Sequence, residues 1–285
     1  MIRELLLTSR PVSWVNTAYP FAAAYLLGSG QIDWLWAVGT FFFLLPYNLA
    51  MYGINDVFDH DSDLLNPRKG GAEGALLEKT RHRGVLVACG IATVPFLALL
   101  GFAGSASANM VLLASMFAVV TYSAPGLRFK ERPFLDSLTS STHFVSPAVY
   151  GLVLAGVDID ARLWAVLGAF FLWGMASHAF GAVQDIVPDR AASLGSVGTV
   201  VGAKATVRAA AATYLAAGVL LLFTSWPGPL AALLVLPYIL NVLPYRNLAD
   251  ADSERAHGGW VRFLWLNYFT GFCVTMLLIW HALRH

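Results

Sequence analysis

The chain has 285 residues, of which 58% are hydrophobic and only 12% are charged, and its mean hydropathy is +0.64. An average soluble domain carries about 25% charged residues, so this composition excludes an ordinary soluble protein as well as a disordered chain. The formal net charge is only +1, which argues against nucleic acid as a partner, because binding to its phosphates requires excess Lys and Arg. The sequence therefore predicts an integral membrane protein with the lipid bilayer as its surroundings.

Nine apolar segments follow one another along the chain, each close to the roughly 20 residues that a membrane-spanning helix needs. They cover residues 12–28, 33–54, 84–103, 107–123, 140–157, 162–182, 206–224, 229–245 and 261–282. The alternating pattern of a membrane β-barrel is not seen in the sequence. We therefore expect an all-α, polytopic membrane protein with nine transmembrane helices in a single domain over residues 1–285.

The charges are divided unequally between the two sets of loops that these spans define. All but two of the 18 Lys and Arg residues are in one set, the exceptions being Arg162 and Arg284. Basic loops remain in the cytoplasm, so we expect a cytoplasmic N-terminus, an external C-terminus and a location in the cell membrane. All but three of the 17 acidic residues are also on the cytoplasmic side, and the positive-inside rule does not explain their position.

A cluster of acids ends the second span, in the segment PYNLAMYGINDVFDHDSDLL. On a continuous helix Asp56, Asp59 and Asp63 share one face, with Asn55 beside Asp59, whereas Asp61 points elsewhere. Like charges at this spacing repel each other on a bare helix. The cluster is therefore expected to surround something cationic.

A second pair of acids, Asp185 and Asp189, ends the sixth span one helical turn apart, with Pro188 between them. Proline bends or ends a helix, and a broken helix at membrane depth is tolerated where it lines a polar cavity. The fourth and eighth spans also end alike, in TYSAP and LPYRN. We interpret the chain as two four-helix halves of one plan followed by a ninth helix.

Oxygen ligands of this kind select hard cations, and Mg²⁺ typically combines one or two carboxylates with waters and substrate phosphate oxygens. Basic residues adjoin the acids and suit the remaining phosphate oxygens; they are Arg68, Lys69, Arg128, Lys130, Arg132 and Arg190. Next to an apolar interior, this combination predicts a site for a prenyl diphosphate. Two alternatives are a solvated face of paired charges and an ion pathway, although the acids cluster at one membrane face and not at mid-span.

The two aspartate motifs resemble those of the UbiA superfamily of intramembrane prenyltransferases. Members of this superfamily also have nine helices and a basic segment similar to Tyr122 to Arg132. Within it, the chain is similar to the actinobacterial lycopene elongase group that makes C50 carotenoids. The similar stretches are SRPVSWVNTAYPF, PYNLAMYGINDVFD, NPRKGGAEGALL, YSAPGLRFKERPFLDSLTSSTHF, FLWGMASHAFGAVQDIVPDR and FLWLNYFTG. The chain has NPRKGG where many quinone-directed relatives have Arg-Pro, which points away from aromatic acceptors.

The resemblance implies a Mg²⁺-dependent enzyme that adds dimethylallyl units from dimethylallyl diphosphate to the ends of lycopene, through C45 to flavuxanthin-type C50 products. The implied metal ligands are Asn55, Asp56, Asp59, Asp63, Asp185 and Asp189. The implied diphosphate ligands are Asn55, Arg68, Lys69, Arg128, Lys130 and Arg190. The implied catalytic residues are Asp56, Asp59, Asp185, Asp189, Tyr122 and Lys130.

The allylic cation formed in such a reaction must be stabilised, and the cation left after its addition must then lose a proton or take up water. Aromatic rings stabilise cations by cation–π contact, and Tyr122 is the favoured ring, with Tyr52, Phe58 and Phe180 as further candidates. His178 and His143 are inside spans and either accept a proton or serve as ordinary core residues. Whether the product is an alkene or an alcohol stays open at this point.

Two other functions are compatible with the motifs. One is a UbiA-type prenyltransferase that acts on a quinone precursor or another lipid acceptor. The other is a cation transporter, which predicts acids at mid-membrane and no prenylated product. If the carotenoid function holds, a functional link to carotenoid cyclases is expected.

Overall fold

The structure is a computed structural model that describes residues 2–64 and 77–284, and every regular element in these two ranges is helical. The α-helices, numbered α1 to α14 in chain order, are Ile2–Thr8, Val15–Ser29, Trp34–Leu44, Pro46–Phe58, His60–Asp63, His82–Ala103, Ala106–Ser123, Leu135–Leu154, Ala161–Val183, Ile186–Ala191, Val197–Val201, Ala203–Leu221, Val235–Val242 and His257–Ala282. The 3₁₀ helices are Pro11–Ser13, Lys79–Arg81, Phe129–Glu131, Gly228–Leu234, Leu243–Tyr245 and Asp250–Ala256. The predicted all-α class is confirmed.

Among the described residues, six helical segments are long and apolar enough to cross a membrane. They are Trp34–Phe58, Lys79–Ala103, Ala106–Ser123, Ala161–Val183, Gly228–Tyr245 and Asp250–Ala282. The predicted count of nine spans is therefore not confirmed.

The other three predicted spans coincide with helices that are shorter or more polar. Helix α2 has 15 residues, fewer than the roughly 20 that cross the hydrocarbon core. Helix α8 carries the polar run STSSTH over residues 137–143 apart from Leu138, and α12 carries Lys204 and Arg208 in its first two turns.

The chain divides into two compact units of similar size. The first unit comprises Met1–Phe129 and Thr142–Asp158, and the second comprises Lys130–Ser141 and Ile159–His285. Helix α8 contributes its first residues to the second unit and the remainder to the first. The single domain over residues 1–285 and the division into two four-helix halves plus one stay predictions.

The core of the first unit is a cluster of aromatic side chains from four helices. Phe21, Phe42, Phe43, Tyr47 and Tyr150 are all fully buried. The ring centroids of Phe21 and Phe43 are 5.2 Å apart, and those of Phe43 and Tyr150 are 5.9 Å apart. Such contacts contribute beyond the burial of apolar area, so this cluster positions α4, which carries the first aspartate motif.

A proline separates α3 from α4, and a buried amide compensates for the interruption. Pro46 has no N–H to continue the helical hydrogen bonds. The Asn48 side chain donates to the carbonyl oxygens of Phe43 at 2.8 Å and Leu44 at 3.0 Å, and to the Thr17 hydroxyl at 2.7 Å. Polar backbone at membrane depth is stable only when paired inside the protein, so Asn48 stabilises the interruption by binding these carbonyl groups.

Helix α8 approaches α2 at Gly151 so closely that a methyl group has no room. An added Cβ would lie 2.8 Å from the Phe21 carbonyl oxygen and 3.1 Å from the Tyr25 nitrogen. Both atoms are backbone, so they move only if the helices separate.

We expect Gly151→Ala to lower the stability of the protein by about 1–3 kcal/mol, the usual cost of overpacking. Thermal unfolding in detergent would measure the change. Gly90→Ala on α6 is the matched control, because no atom lies within 4 Å of its added Cβ. A Gly151→Ala variant as stable as the control would contradict this close approach.

The core of the second unit forms where α9 packs along α12 and meets α13 and α14. Phe180, Tyr214 and Tyr238 are almost fully buried there, and the rings of Trp173 and Phe263 stack at a centroid distance of 5.9 Å. The many alanines of α12 allow this close packing, as small residues do between membrane helices.

Candidate active site

The first aspartate motif lies where α4 ends. Asn55 and Asp56 are in its last turn, and Asp59 is the residue that caps its C-terminus. The continuous helical face predicted over residues 55–63 is wrong, because α4 ends at Phe58 and the short helix α5 begins at His60. Asp56 and Asp59 are nonetheless brought together and buried, at 1% and 2% exposure, whereas the side chain of Asp63 lies outside the described residues.

Arg10 neutralises Asp56. Its Nη2 donates to the Asp56 Oδ1 at 2.8 Å, and the carboxylate is fully buried. The same guanidinium lies over the ring of Tyr52, with 4.2 Å from Cζ to the ring centroid. A buried carboxylate needs such a partner, and the ring face of Tyr52 proposed for cation shelter is occupied by Arg10 in this structure.

Arg128 stands beside Asp59 in the same manner. Its Nη2 is 3.5 Å from the Asp59 Oδ1, and its Nη1 donates to the Phe58 carbonyl oxygen at 3.2 Å. Both arginines have left-handed backbones, with φ of 50° at Arg10 and 39° at Arg128. Such conformations cost energy and concentrate at functional sites, so two strained segments deliver the two cations to the motif.

Asn55 connects the motif to the end of α7. The Ser123 hydroxyl donates to the Asn55 Oδ1 at 2.9 Å. Tyr122, the preceding residue, is half-buried, and its ring meets the His143 ring edge-on at a centroid distance of 5.1 Å. Tyr122, Asn55 and His143 are thus neighbours in the first unit. The predicted role of Tyr122 in cation stabilisation requires this position near the first aspartate motif.

Asp61 lies apart from the buried acids, as the helical spacing predicts. Its Oδ1 is 2.7 Å from the Nζ of Lys79, and the two side chains are 81% and 65% exposed. The hydrogen bond from Lys79 lowers the pKa of the Asp61 carboxyl. An exposed surface pair of this kind contributes little to stability, which makes Asp61 a useful control for the buried pair.

The donor set of the motif suits a divalent cation without enclosing it. Across residues 2–64 and 77–284, no three His, Cys, Asp or Glu side chains are grouped closely enough to hold a metal ion alone. Mg²⁺ rarely uses such a cage, because it retains waters and takes phosphate oxygens from its substrate. Two buried carboxylates beside an amide oxygen, already balanced by two guanidinium groups, therefore fit its chemistry.

The second aspartate motif lies between α9 and α10 in the second unit. Helix α9 ends at Val183, Asp185 precedes α10, and Asp189 is within it, both half-buried. The break comes before Pro188 because a proline cannot bond to the carbonyl four residues earlier, which here belongs to Gln184. The predicted interruption of the sixth span is confirmed.

Arg190 has structural partners in the second unit. Its Nε and Nη2 donate to the Thr199 carbonyl oxygen at 3.0 and 2.7 Å, and its Nη1 is 2.7 Å from the Asp250 Oδ2. Asp250 in turn accepts from the Ala203 backbone N–H at 2.7 Å. Arg190 thus ties α10 to α11 and to the start of α12, and its binding to diphosphate stays a prediction.

Of the remaining basic residues predicted to bind diphosphate, the structure describes only Lys130. Lys130 is half-buried in the 3₁₀ helix Phe129–Glu131 and counts with the second unit. Arg68 and Lys69 lie outside the described residues.

His178 has a buried acid beside it that the sequence did not reveal. The Nε2 of His178 is 3.9 Å from the Oδ2 of Asp136, which is fully buried. Asp136 also accepts from the backbone N–H groups of Ser137 and Val197, both at 2.7 Å. Phe180, near His178 on α9, packs against Tyr245 in the core, with ring centroids 5.7 Å apart.

Arg10 and Asp136 are the site residues that sequence reasoning missed. Arg10 is one of many basic residues on the cytoplasmic side, and only its position in SRPVSW, just before the first predicted span, singles it out. Asp136 lies in a polar stretch with no local pattern. Both residues contact partners that are distant along the chain. The separation in sequence is 46 residues between Arg10 and Asp56 and 61 residues between Asp136 and Val197.

Comparison with known proteins places these features in a family. Residues 17–282 match the UbiA prenyltransferase family. The chain is 56% identical over 284 residues to the C(50) beta-cyclic carotenoids biosynthesis protein LbtBC of Dietzia sp., covering 99% of this chain and 66% of that protein. It is 53% identical to a lycopene elongase/hydratase of Corynebacterium glutamicum, covering 98% and 97% of the two chains.

A solved structure has the same fold. The UbiA homologue from Archaeoglobus fulgidus bound to DMAPP and Mg²⁺ superposes with a TM-score of 0.68 at 17% identity, covering 93% of this chain and 98% of that one. At this identity the likeness establishes the fold alone. The family match over residues 17–282 and the relatives at 53% and 56% identity show that the chain belongs to the UbiA prenyltransferase family and is a multi-pass membrane prenyltransferase.

Proposed function

We propose that the chain transfers dimethylallyl units from dimethylallyl diphosphate to the ends of lycopene, giving C45 and then C50 carotenoids and releasing diphosphate. The observation that carries this proposal is the pair of buried carboxylates, Asp56 and Asp59, each facing a guanidinium at the end of an apolar helix. The lycopene elongase/hydratase at 53% identity and the C(50) beta-cyclic carotenoids biosynthesis protein at 56% identity support lycopene as the acceptor. The homologue of the same fold that binds DMAPP and Mg²⁺ supports the donor.

The proposed metal ligands are the oxygen donors of the two motifs, namely Asn55, Asp56, Asp59, Asp63, Asp185 and Asp189. When bound, Mg²⁺ would supply positive charge that stabilises the departing diphosphate. The proposed diphosphate ligands are Asn55, Arg68, Lys69, Arg128, Lys130 and Arg190. Arg10 is a further cation at the first motif, where its Nη2 lies 2.8 Å from the Asp56 Oδ1.

The reaction breaks the allylic C–O bond, and diphosphate leaves with the electron pair. The terminal alkene of lycopene supplies the electrons of the new C–C bond, which leaves a tertiary cation on the acceptor. Loss of a proton from this cation gives an alkene, whereas addition of water and loss of a proton gives an alcohol. Tyr122 offers its ring to the allylic cation, and His178, whose Nε2 lies 3.9 Å from the Asp136 Oδ2, is the proposed proton acceptor.

We also propose that the motifs open to the cytoplasm and that the protein resides in the cell membrane. The proposal is supported by the distribution of Lys and Arg. All of them except Arg162 and Arg284 are in the same set of loops as the two aspartate motifs. Basic loops are retained on the cytoplasmic side during insertion. A functional link to carotenoid cyclases is part of the same proposal, and it is supported by the name of the Dietzia relative, a C(50) beta-cyclic carotenoids biosynthesis protein.

An assay in membranes tests the proposed reaction. Membranes that contain the protein are incubated with lycopene, Mg²⁺ and labelled dimethylallyl diphosphate, and the pigments are separated by chromatography. We expect labelled C45 and C50 carotenoids, and we expect removal of divalent cations with EDTA to abolish them. Host membranes without the protein are the control.

Each alternative gives a different result in this assay. If the label appeared in a quinone or another lipid and not in a carotenoid, the protein would be a prenyltransferase whose acceptor is that lipid and not lycopene. Absence of any labelled product, together with cation uptake into sealed vesicles, would instead favour the transporter.

A further inference from the structure

A cavity of about 610 Å³ lies at the start of α9, lined by Arg162, Ser225, Trp226 and Arg284. All four residues belong to the second unit. Helix α9 has 23 residues, and at 1.5 Å per residue it extends for roughly 34 Å. The cavity is therefore at the end of α9 opposite to Asp185, and the proposed reaction does not use it.

The two arginines of this cavity are the two basic residues that the charge distribution sets apart. Every other Lys and Arg is in the opposite set of loops, yet these two, separated by more than a hundred positions, line one cavity. Topology selects against basic residues in these loops. Their convergence on one cavity therefore calls for a local reason.

Among the described residues, the Arg162 side chain is bonded to a hydroxyl and not to a carboxylate. Arg162 donates from Nη1 to the Ser225 hydroxyl at 3.2 Å. Asp160, the nearest acid in sequence, caps α9 by accepting from the N–H groups of Arg162 and Leu163. Within the part of the chain that the structure describes, neither Arg162 nor Arg284 forms an ion pair. Two guanidinium groups at one cavity repel each other, and a bound anion would relieve that repulsion.

The rim of the cavity is aromatic. Trp226 is 49% exposed, and its ring meets the ring of Trp280 edge-on at a centroid distance of 5.8 Å. Tryptophan is enriched at the membrane–water interface, at the level of the lipid headgroups. This preference favours a position of the cavity near the headgroup phosphates, with exposed apolar residues of α9 and α14 beside it.

We propose that this cavity binds the phosphate group of an anionic phospholipid. A guanidinium group pairs with two phosphate oxygens through two parallel hydrogen bonds, so two arginines at one cavity suit a phosphate group. Free phosphate has the same charged group, but the exposed Trp226 and the flanking helices favour the lipid.

Lipid binding to the purified full chain in detergent tests this proposal. Intact-protein mass spectrometry counts bound lipids while phosphatidylglycerol, phosphatidylcholine or inorganic phosphate is titrated. We expect phosphatidylglycerol to bind most tightly, and the double variant Arg162→Gln, Arg284→Gln to weaken its binding by about tenfold or more, or about 1.4 kcal/mol. The exposed Arg83 at the start of α6 provides the matched control, Arg83→Gln, with unchanged binding.

Any of three outcomes would overturn the proposal. One is equal phosphatidylglycerol binding by the double variant and the control, both eluting as single peaks in size-exclusion chromatography. The second is displacement of the lipid by inorganic phosphate at the same concentration, and the third is equal binding of phosphatidylcholine, either of which would exclude recognition of an anionic lipid.

Discussion

Replacing Asp56 by Ala should abolish prenyl transfer while leaving the protein in the membrane. Asp56 is a proposed ligand of the metal that stabilises the departing diphosphate, and metal charge contributes several kcal/mol to such a step. Since each 1.36 kcal/mol corresponds to a tenfold change in rate, we expect a loss of about a thousandfold or more. Labelled carotenoid formed per amount of membrane-embedded protein is the measurement.

The neighbouring Asp61 provides the matched control for this prediction. It is five residues along the same segment, but it is 81% exposed and paired with Lys79. Asp61→Ala should therefore retain activity within about twofold, since exposed ion pairs contribute little. Asp185→Ala should resemble Asp56→Ala, because the proposal assigns the same role to the second motif. Full activity in both Asp56→Ala and Asp185→Ala would refute the assignment of metal and diphosphate.

Replacing Arg10 by Gln should destabilise the protein strongly, an effect that only the structure predicts. The change leaves the Asp56 carboxylate buried without its guanidinium, and breaking a buried pair by removing one partner costs about 3–5 kcal/mol. The contact with the Tyr52 ring, 4.2 Å from the guanidinium carbon, is lost as well. Thermal unfolding of the purified protein, monitored by tryptophan fluorescence, would report the change.

A second substitution distinguishes this charge effect from a general packing defect. Asp56→Asn removes the buried charge, so the double variant Arg10→Gln, Asp56→Asn should recover most of the lost stability without recovering activity. Added Mg²⁺ should also raise the unfolding temperature of Arg10→Gln, because a metal at Asp56 replaces the missing cation. If the double variant were as unstable as Arg10→Gln, the ion pair would not be the cause.

The sequence predicted the class of fold and the identity of both motifs more reliably than their local shape. Asp56 and Asp59 were expected on one helical face, and they are together and buried. The helix was also expected to continue to Asp63, whereas it ends at Phe58. Helical periodicity carries no signal for this end, because the end is stabilised by the distant Arg128, which donates to the Phe58 carbonyl oxygen and faces Asp59.

The partners of the basic residues were the hardest feature to predict. Arg190 was expected at diphosphate, and in the structure it bonds to Thr199 and Asp250. Arg10 received no role, and in the structure it balances Asp56. An arginine has a long side chain and several donors, so its partner depends on which elements pack nearby and not on its neighbours in sequence.

The sequence by itself determined the membrane class, the all-α fold, the family and the presence of two aspartate motifs beside basic residues. These properties depend on composition, on local periodicity and on the spacing of residues along one helix, all of which are written in the order of the amino acids. The tertiary structure alone decided which cation faces each buried carboxylate, as Arg10 faces Asp56, and that Arg162 and Arg284 line one cavity. Burial makes the choice of partner energetically decisive, and burial exists only once distant segments have packed together.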